Sequence, residues 1–201
     1  QVSPQSRLVI CRVADSDGNA TAWSVIKGLA FAVTANAELA NVSLGAPARI
    51  PALSDVLDWC AEKRLTIVAS AGNLGIETEL YPANYSGVIG IAGLNVNKTK
   101  ADFSCYDRKV IASAPAVGVA SIDWDGGIAT WSGTSFSSPI ATGMIAEGLR
   151  RTGGRISPVR IEKGFSTYGD DLDKINPQYN RMLGSGLNFT KFVSAFKITG
   201  I

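Results

Sequence analysis

In its N-terminal part this chain alternates short apolar runs with longer segments of helical periodicity. No other feature narrows the fold as much. Leu8 to Val13 reads as a buried strand, closed by the turn signal Asp15-Ser16-Asp17-Gly18. From Thr21 to Thr34 the apolar residues Val25, Ile26, Leu29, Ala30 and Val33 recur at helical spacing. Leu39 to Leu44 reads as a strand stopped by Gly45, and a helix from about Ala52 to Arg64 carries Leu53, Val56, Leu57 and Cys60 on one face. Thr66 to Ser70 is the next strand, cut off by Ala71-Gly72-Asn73-Leu74-Gly75. That alternation predicts an α/β fold with a mainly parallel sheet covered on both faces.

Beyond this point the texture changes. Val88 to Leu94 and Val110 to Ala114 read as strands joined without long helices, and Gly127 to Trp131 as part of a hairpin. A helix from Ser135 turns Ile140, Met144, Ile145 and Leu149 inward, and Pro158 to Gly164 and Asn188 to Phe196 read as two closing helices. With 201 residues and no low-complexity linker, one domain over residues 1–201 is expected. The apolar run Ile26 to Val33 is interrupted by Lys27 and is too short to span a bilayer. Net charge is +2 with both signs interspersed, so no nucleic-acid surface is expected; Arg150, Arg151 and Arg155 read as a solvated helix end. The three cysteines cannot all pair, and a chain with no histidine has no Cys/His zinc set, so Cys11, Cys60 and Cys105 are expected as free thiols. A first residue of Gln rather than Met is expected of a processed or excised piece.

The chemistry sits in Gly133-Thr134-Ser135-Phe136-Ser137-Ser138-Pro139. A serine in the first turn of a helix lies where backbone N–H groups point outward and the dipole is positive. That setting stabilises the oxyanion of acyl transfer. The same residues also fit a plain helix cap. Ser137 stands where a Gly-x-Ser-x-Gly elbow needs its second glycine, which disfavours the α/β-hydrolase arrangement. Asn73 follows a buried strand, at the sheet edge where ligands of open α/β sheets bind. Between glycines it fits a turn residue equally well.

Taken together these stretches resemble the subtilisin-like serine proteases. Gly133 to Pro139 matches the family's nucleophile motif, Ala71 to Gly75 its Ala-Gly-Asn-x-Gly stretch, and Asn41 to Gly45 its Asn-x-Ser-Leu-Gly strand end. Tyr81-Pro82, Phe103-Ser104, Ala114-Pro115 and Gly184-x-Gly186-Leu187-Asn188 fall in family order. The resemblance implies a doubly wound sheet of subtilisin type, incomplete at its N-terminal side. It implies Ser135 as nucleophile, with Asn73 and the Ser135 N–H as the oxyanion hole. Substrate contacts would come from Ser43, Leu44, Gly45, Ala71, Gly72, Leu74 and Thr134. Leu44 and Gly45 would pair with an extended peptide. The first specificity pocket would lie between Ser43–Gly45 and Ala71–Leu74, where Leu74 and Leu80 favour neutral or hydrophobic side chains.

The family's aspartate and histidine motifs are missing. Asp15 and Asp17 are rejected as the acid, because Gln1 to Pro4 leading to a strand and an Asp-Gly turn matches the family segment after the histidine helix. The chain alone is therefore expected to be nearly inactive. It is expected to act as a serine endopeptidase only with an upstream segment, or a second chain, supplying Asp and His. A pseudoprotease that binds extended peptides by strand addition is the alternative. In the family the aspartate strand lies between Leu8–Val13 and Leu39–Ser43, so a gap is expected there. No cofactor is implied; calcium is possible in the complete domain, through a loop upstream or weakly through carbonyls near Ala83 to Val88. Family habit favours export, whereas three unpaired thiols favour the reverse.

Overall fold

The computed structural model describes residues 2–153 and 156–196, so Gln1 and Arg155 lie outside the described residues. Its centre is a parallel sheet in the order β1 (Leu39–Val42), β2 (Thr66–Ser70), β3 (Val88–Leu94), β4 (Ala112–Pro115) and β7 (Ser185–Gly186). Every residue of β2 and β3 is buried, which explains why these strands are continuous apolar runs rather than alternating ones. Ile67 and Ala69 face one side, packing with Leu29 of α1 (Ala22–Thr34) and with Leu53, Leu57 and Cys60 of α2 (Pro51–Glu62). Val68, Ile89 and Ile91 face the other, against α3 (Thr134–Thr152), α4 (Pro158–Tyr168) and α5 (Phe189–Ala195). Met144, Ile145, Ile161, Phe165 and Phe192 fill that layer.

Local chemistry starts most of these helices. Thr21 and Ser24 form a reciprocal capping box before α1. Pro51 and Pro158 stand at the first turns of α2 and α4, where a missing N–H costs nothing. Ser157 and Asn188 cap α4 and α5 through their side chains. An antiparallel ribbon, β5 (Val119–Ile122) with β6 (Ile128–Trp131), leads into α3. Cys60 and Cys105 are buried free thiols and Cys11 is half-buried; burial pushes the Cys60 thiol up to about 11.

One expected strand is absent. Residues 8–13 are extended but belong to no ladder, and Ala14 makes only an isolated bridge to Ala20. The segment keeps a strand's alternation. Val9, Cys11 and Val13 turn inward, and a methyl built on Gly28 of α1 would lie 2.6 Å from Val13 Cγ1. Leu8 and Ile10 are 78% and 80% exposed. β1 pairs with β2 alone, so its other edge carries no strand among the described residues. The apolar run suggested burial on both faces, but a strand is buried and laddered only where a neighbour lies beside it, and none does among the described residues.

Candidate active site

The site forms where the carboxyl ends of β1 and β2 meet the N-terminus of α3. Gly133 is the N-cap of that helix and provides no side-chain cap. The cap comes from far away in sequence. Asn73 Oδ1, just beyond β2, accepts from the Thr134 N–H at 2.9 Å and from Thr134 Oγ1 at 2.8 Å. Thr134 Oγ1 in turn accepts from the Gly72 N–H at 3.1 Å. Thr134 is completely buried, with its hydroxyl turned into this network. With Oδ1 occupied, Asn73 Nδ2 is without a hydrogen-bond partner among the described residues.

A methyl carbon built on Gly133 would lie 3.4 Å from Asn73 Nδ2 and 3.8 Å from Ser135 N. Asn73 Oδ1 lies 3.9 Å from the same point, so both ends of the carboxamide and the Ser135 nitrogen lie within 4 Å of it, and the absent side chain of Gly133 leaves it unfilled. Ser135 is half-buried, and among the described residues neither its hydroxyl nor its N–H has a hydrogen-bond partner.

Pro139 adds a feature the sequence analysis missed. It has no N–H to give the carbonyl four residues earlier, which is that of Ser135. Ser43, at the end of β1, supplies the donor instead: its Oγ donates to Ser135 O at 3.1 Å. Ser43 Oγ accepts from Asn41 Nδ2 at 3.0 Å, while Asn41 Oδ1 accepts from Ser138 Oγ at 2.6 Å and Thr142 Oγ1 at 3.2 Å. The four-residue spacing from Ser135 to Pro139 was the available signal.

The other candidates cluster nearby. Leu44 is half-buried and Gly45 exposed at the end of the β1 segment; Ala71 is buried, and Leu74 is exposed beyond Asn73. Cys105 lies behind this loop: its Sγ accepts from the Leu74 N–H at 3.2 Å, and its own N–H donates to Gly72 O at 2.9 Å. Asp15 takes no part in the site, since its carboxylate accepts from the N–H groups of Asp17 and Asn19 in an exposed turn. Beside Ala83 to Val88, the Asp107 carboxylate accepts from Asn84 Nδ2 at 2.7 Å and from the Lys109 N–H.

The model of the subtilase family matches residues 1–163. The chain belongs to the subtilase family. It is 32% identical over 145 residues to the thermostable alkaline protease of Halalkalibacterium halodurans, covering 72% of this chain and 40% of that protein. It is 31% identical over 170 residues to thermitase of Thermoactinomyces vulgaris, covering 85% of this chain and 60% of that one. The chain thus spans between about two-fifths and three-fifths of the length of these curated relatives. Among solved structures it resembles the prenylagaramide maturation protease PagA, with TM-score 0.82 and 23% identity over 92% of this chain and 72% of that one. A cold adapted subtilisin-like serine proteinase matches with TM-score 0.77 and 24% identity, over 88% of this chain and 66% of the other. Those two likenesses show the fold. In the subtilase fold the sheet described above is the expected frame, and serine protease chemistry is the family's general activity. No helix among the described residues is long and apolar enough to cross a membrane.

Proposed function

We propose that residues 1–201 are one partial peptidase domain, the nucleophile and oxyanion-hole portion of a serine endopeptidase. An upstream segment or second chain supplies its Asp and His. Ser135 Oγ attacks the scissile carbonyl carbon as its proton passes to the incoming imidazole. Asn73 Nδ2 and the Ser135 N–H hold the oxyanion. The amine leaves with the proton returned by the imidazole, and water repeats the sequence on the acyl-enzyme. Thr134 orients Asn73, while Ser43 to Gly45 and Ala71 to Leu74 frame an extended peptide. The observation that supports this reading most is that Asn73 Nδ2 and Ser135 N lie 3.4 and 3.8 Å from one unfilled point beside Gly133. In subtilisin itself, losing the equivalent asparagine lowers turnover by about 10²–10³, and losing the histidine by about 10⁶.

A fluorophosphonate probe tests the proposal. Ser135 should be labelled when the upstream segment is added and not when this chain is alone. Absence of labelling under both conditions would overturn the peptidase reading. It would favour a peptide binder acting by strand addition, for which the open edge of β1 is the supporting observation.

A further inference from the structure

We infer that Leu80 closes the first specificity pocket, so that the residue preceding the scissile bond is glycine, alanine or serine. This rests on the cleft proposed above and specifies its substrate class. The two segments framing the pocket present glycines, Gly45 on one side and Gly72 on the other. Leu80 spans the space between them. A methyl built on Gly45 would lie 3.8 Å from Leu80 Cβ, and one built on Gly72 would lie 2.1 Å from Leu80 Cδ1 and 3.4 Å from its Cγ. The isobutyl group is therefore packed directly against the Gly72 backbone. Leu80 is only 6% exposed, whereas Gly45 is exposed and Gly72 half-buried, so the leucine forms a floor beneath an open mouth.

The floor is held in place. Tyr81 and Ala46 exchange two backbone hydrogen bonds of 2.9 Å each, and Leu80 O accepts from the Asn84 N–H at 3.0 Å. Cys105 Sγ would lie 3.3 Å from the same methyl, so the space at Gly72 is already bounded by Leu80 and Cys105. A methyl or hydroxymethyl side chain can rest on the leucine. A phenylalanine or leucine ring or chain would have to drive Leu80 out of a packed position, and close-packed interiors resist added methylenes. Leu74, which the sequence analysis counted with Leu80 as pocket lining, is 61% exposed and sits at the rim.

The test uses the chain together with its upstream segment and a peptide series differing only at the residue before the scissile bond. Ala peptides should exceed Phe peptides in kcat/KM by roughly 100-fold, in the range that pocket size supplies. Leu80→Gly should bring the ratio within about tenfold by raising the Phe rate. Rates are compared per mole of Ser135 labelled by a small fluorophosphonate, so that the Ala-to-Phe ratio reports the pocket and not the fraction of active protein. Equal cleavage of Ala and Phe peptides by the unaltered protein, or an unchanged ratio in Leu80→Gly, overturns the inference. Leu80→Ala serves if the glycine variant does not fold. Failure of all labelling would sink the peptidase proposal alone. The pocket would then be read by binding of acetyl-tripeptides ending in Ala or Phe, and a preference for Phe would overturn it.

Discussion

Pro139 and Ser43 make one bargain in the geometry of the nucleophile, and a double-mutant cycle can measure it. Ser43→Ala removes the donor to Ser135 O and also frees Asn41 Nδ2. Because Pro139 offers no N–H, nothing in the helix replaces the lost bond. An unsatisfied buried carbonyl costs about 1–3 kcal/mol. The Ser43–Ser135 contact is partly buried, so water recovers some of this and about 1–2 kcal/mol is expected. Pro139→Ala restores an N–H four residues after Ser135. In that background Ser43→Ala should cost less than about 0.5 kcal/mol, giving a coupling of about 1 kcal/mol. Urea denaturation of the four proteins, followed by tryptophan fluorescence, supplies the free energies. An equal cost of Ser43→Ala in both backgrounds would refute the idea that the proline hands the Ser135 carbonyl to β1.

Two further outcomes follow from side chains outside the cleft. Asp170 accepts from Lys98 Nζ at 2.8 Å, Asn188 Nδ2 at 3.0 Å and Lys191 Nζ at 3.4 Å, and the Lys98 and Asn188 bonds chiefly hold its carboxyl down at about 2. A depressed carboxylate stabilises the fold above its ordinary value of 3.8, and that contribution fades as pH falls through about 2. Asp170→Asn should therefore cost about 1–2 kcal/mol at pH 7 and almost nothing at pH 2, a trend that an undiminished gap in acid denaturation would contradict. The double variant Leu8→Asp, Ile10→Asp alters two exposed side chains, so stability of this chain should shift by less than about 0.5 kcal/mol per site. Complementation by the upstream segment should be lost, judged by Ser135 labelling; full labelling would mean that this face is not where the segment packs.

Much of the fold was legible because burial leaves a one-dimensional trace. The ends of β2 and β3 were read to the residue: β3 is an apolar run between Gly87 and Asn95, and β2 is an apolar centre flanked by Thr66 and Ser70 ahead of the Gly72–Gly75 turn. The α1 and α2 assignments rested on apolar spacing, and the structure moved their ends by a residue or two. β7 was invisible because two residues carry no period; it exists through the close approach of Gly184, where a methyl would fall 2.3 Å from Ile111 O, and whose φ of +58° favours glycine. Leu8 to Val13 read as a buried strand, yet Leu8 and Ile10 are exposed; an apolar run says nothing of whether a neighbouring strand exists. At the site, motif order could be read, whereas the bonds could not. Asn73 meets Thr134 across 61 positions and Ser43 meets Ser135 across 92, and no local pattern encodes either pairing.

β1 links the unpaired edge of the described sheet to Ser135. Its outer edge is unpaired among the described residues, and a four-residue strand laddered on one side only is weakly held. Yet Asn41 within it and Ser43 at its end grip α3 at Ser138, Thr142 and the Ser135 carbonyl. An element laid along that edge would steady the strand that sets the serine backbone, besides bringing an acid and a base. Under the proposed reading an extended substrate would pair just beyond this strand, at Leu44 and Gly45. Completion of the sheet, alignment of the peptide and placement of Ser135 are therefore not independent. That is the physical reason to compare the chain with and without its upstream segment before attributing any loss of reactivity to the absent imidazole alone.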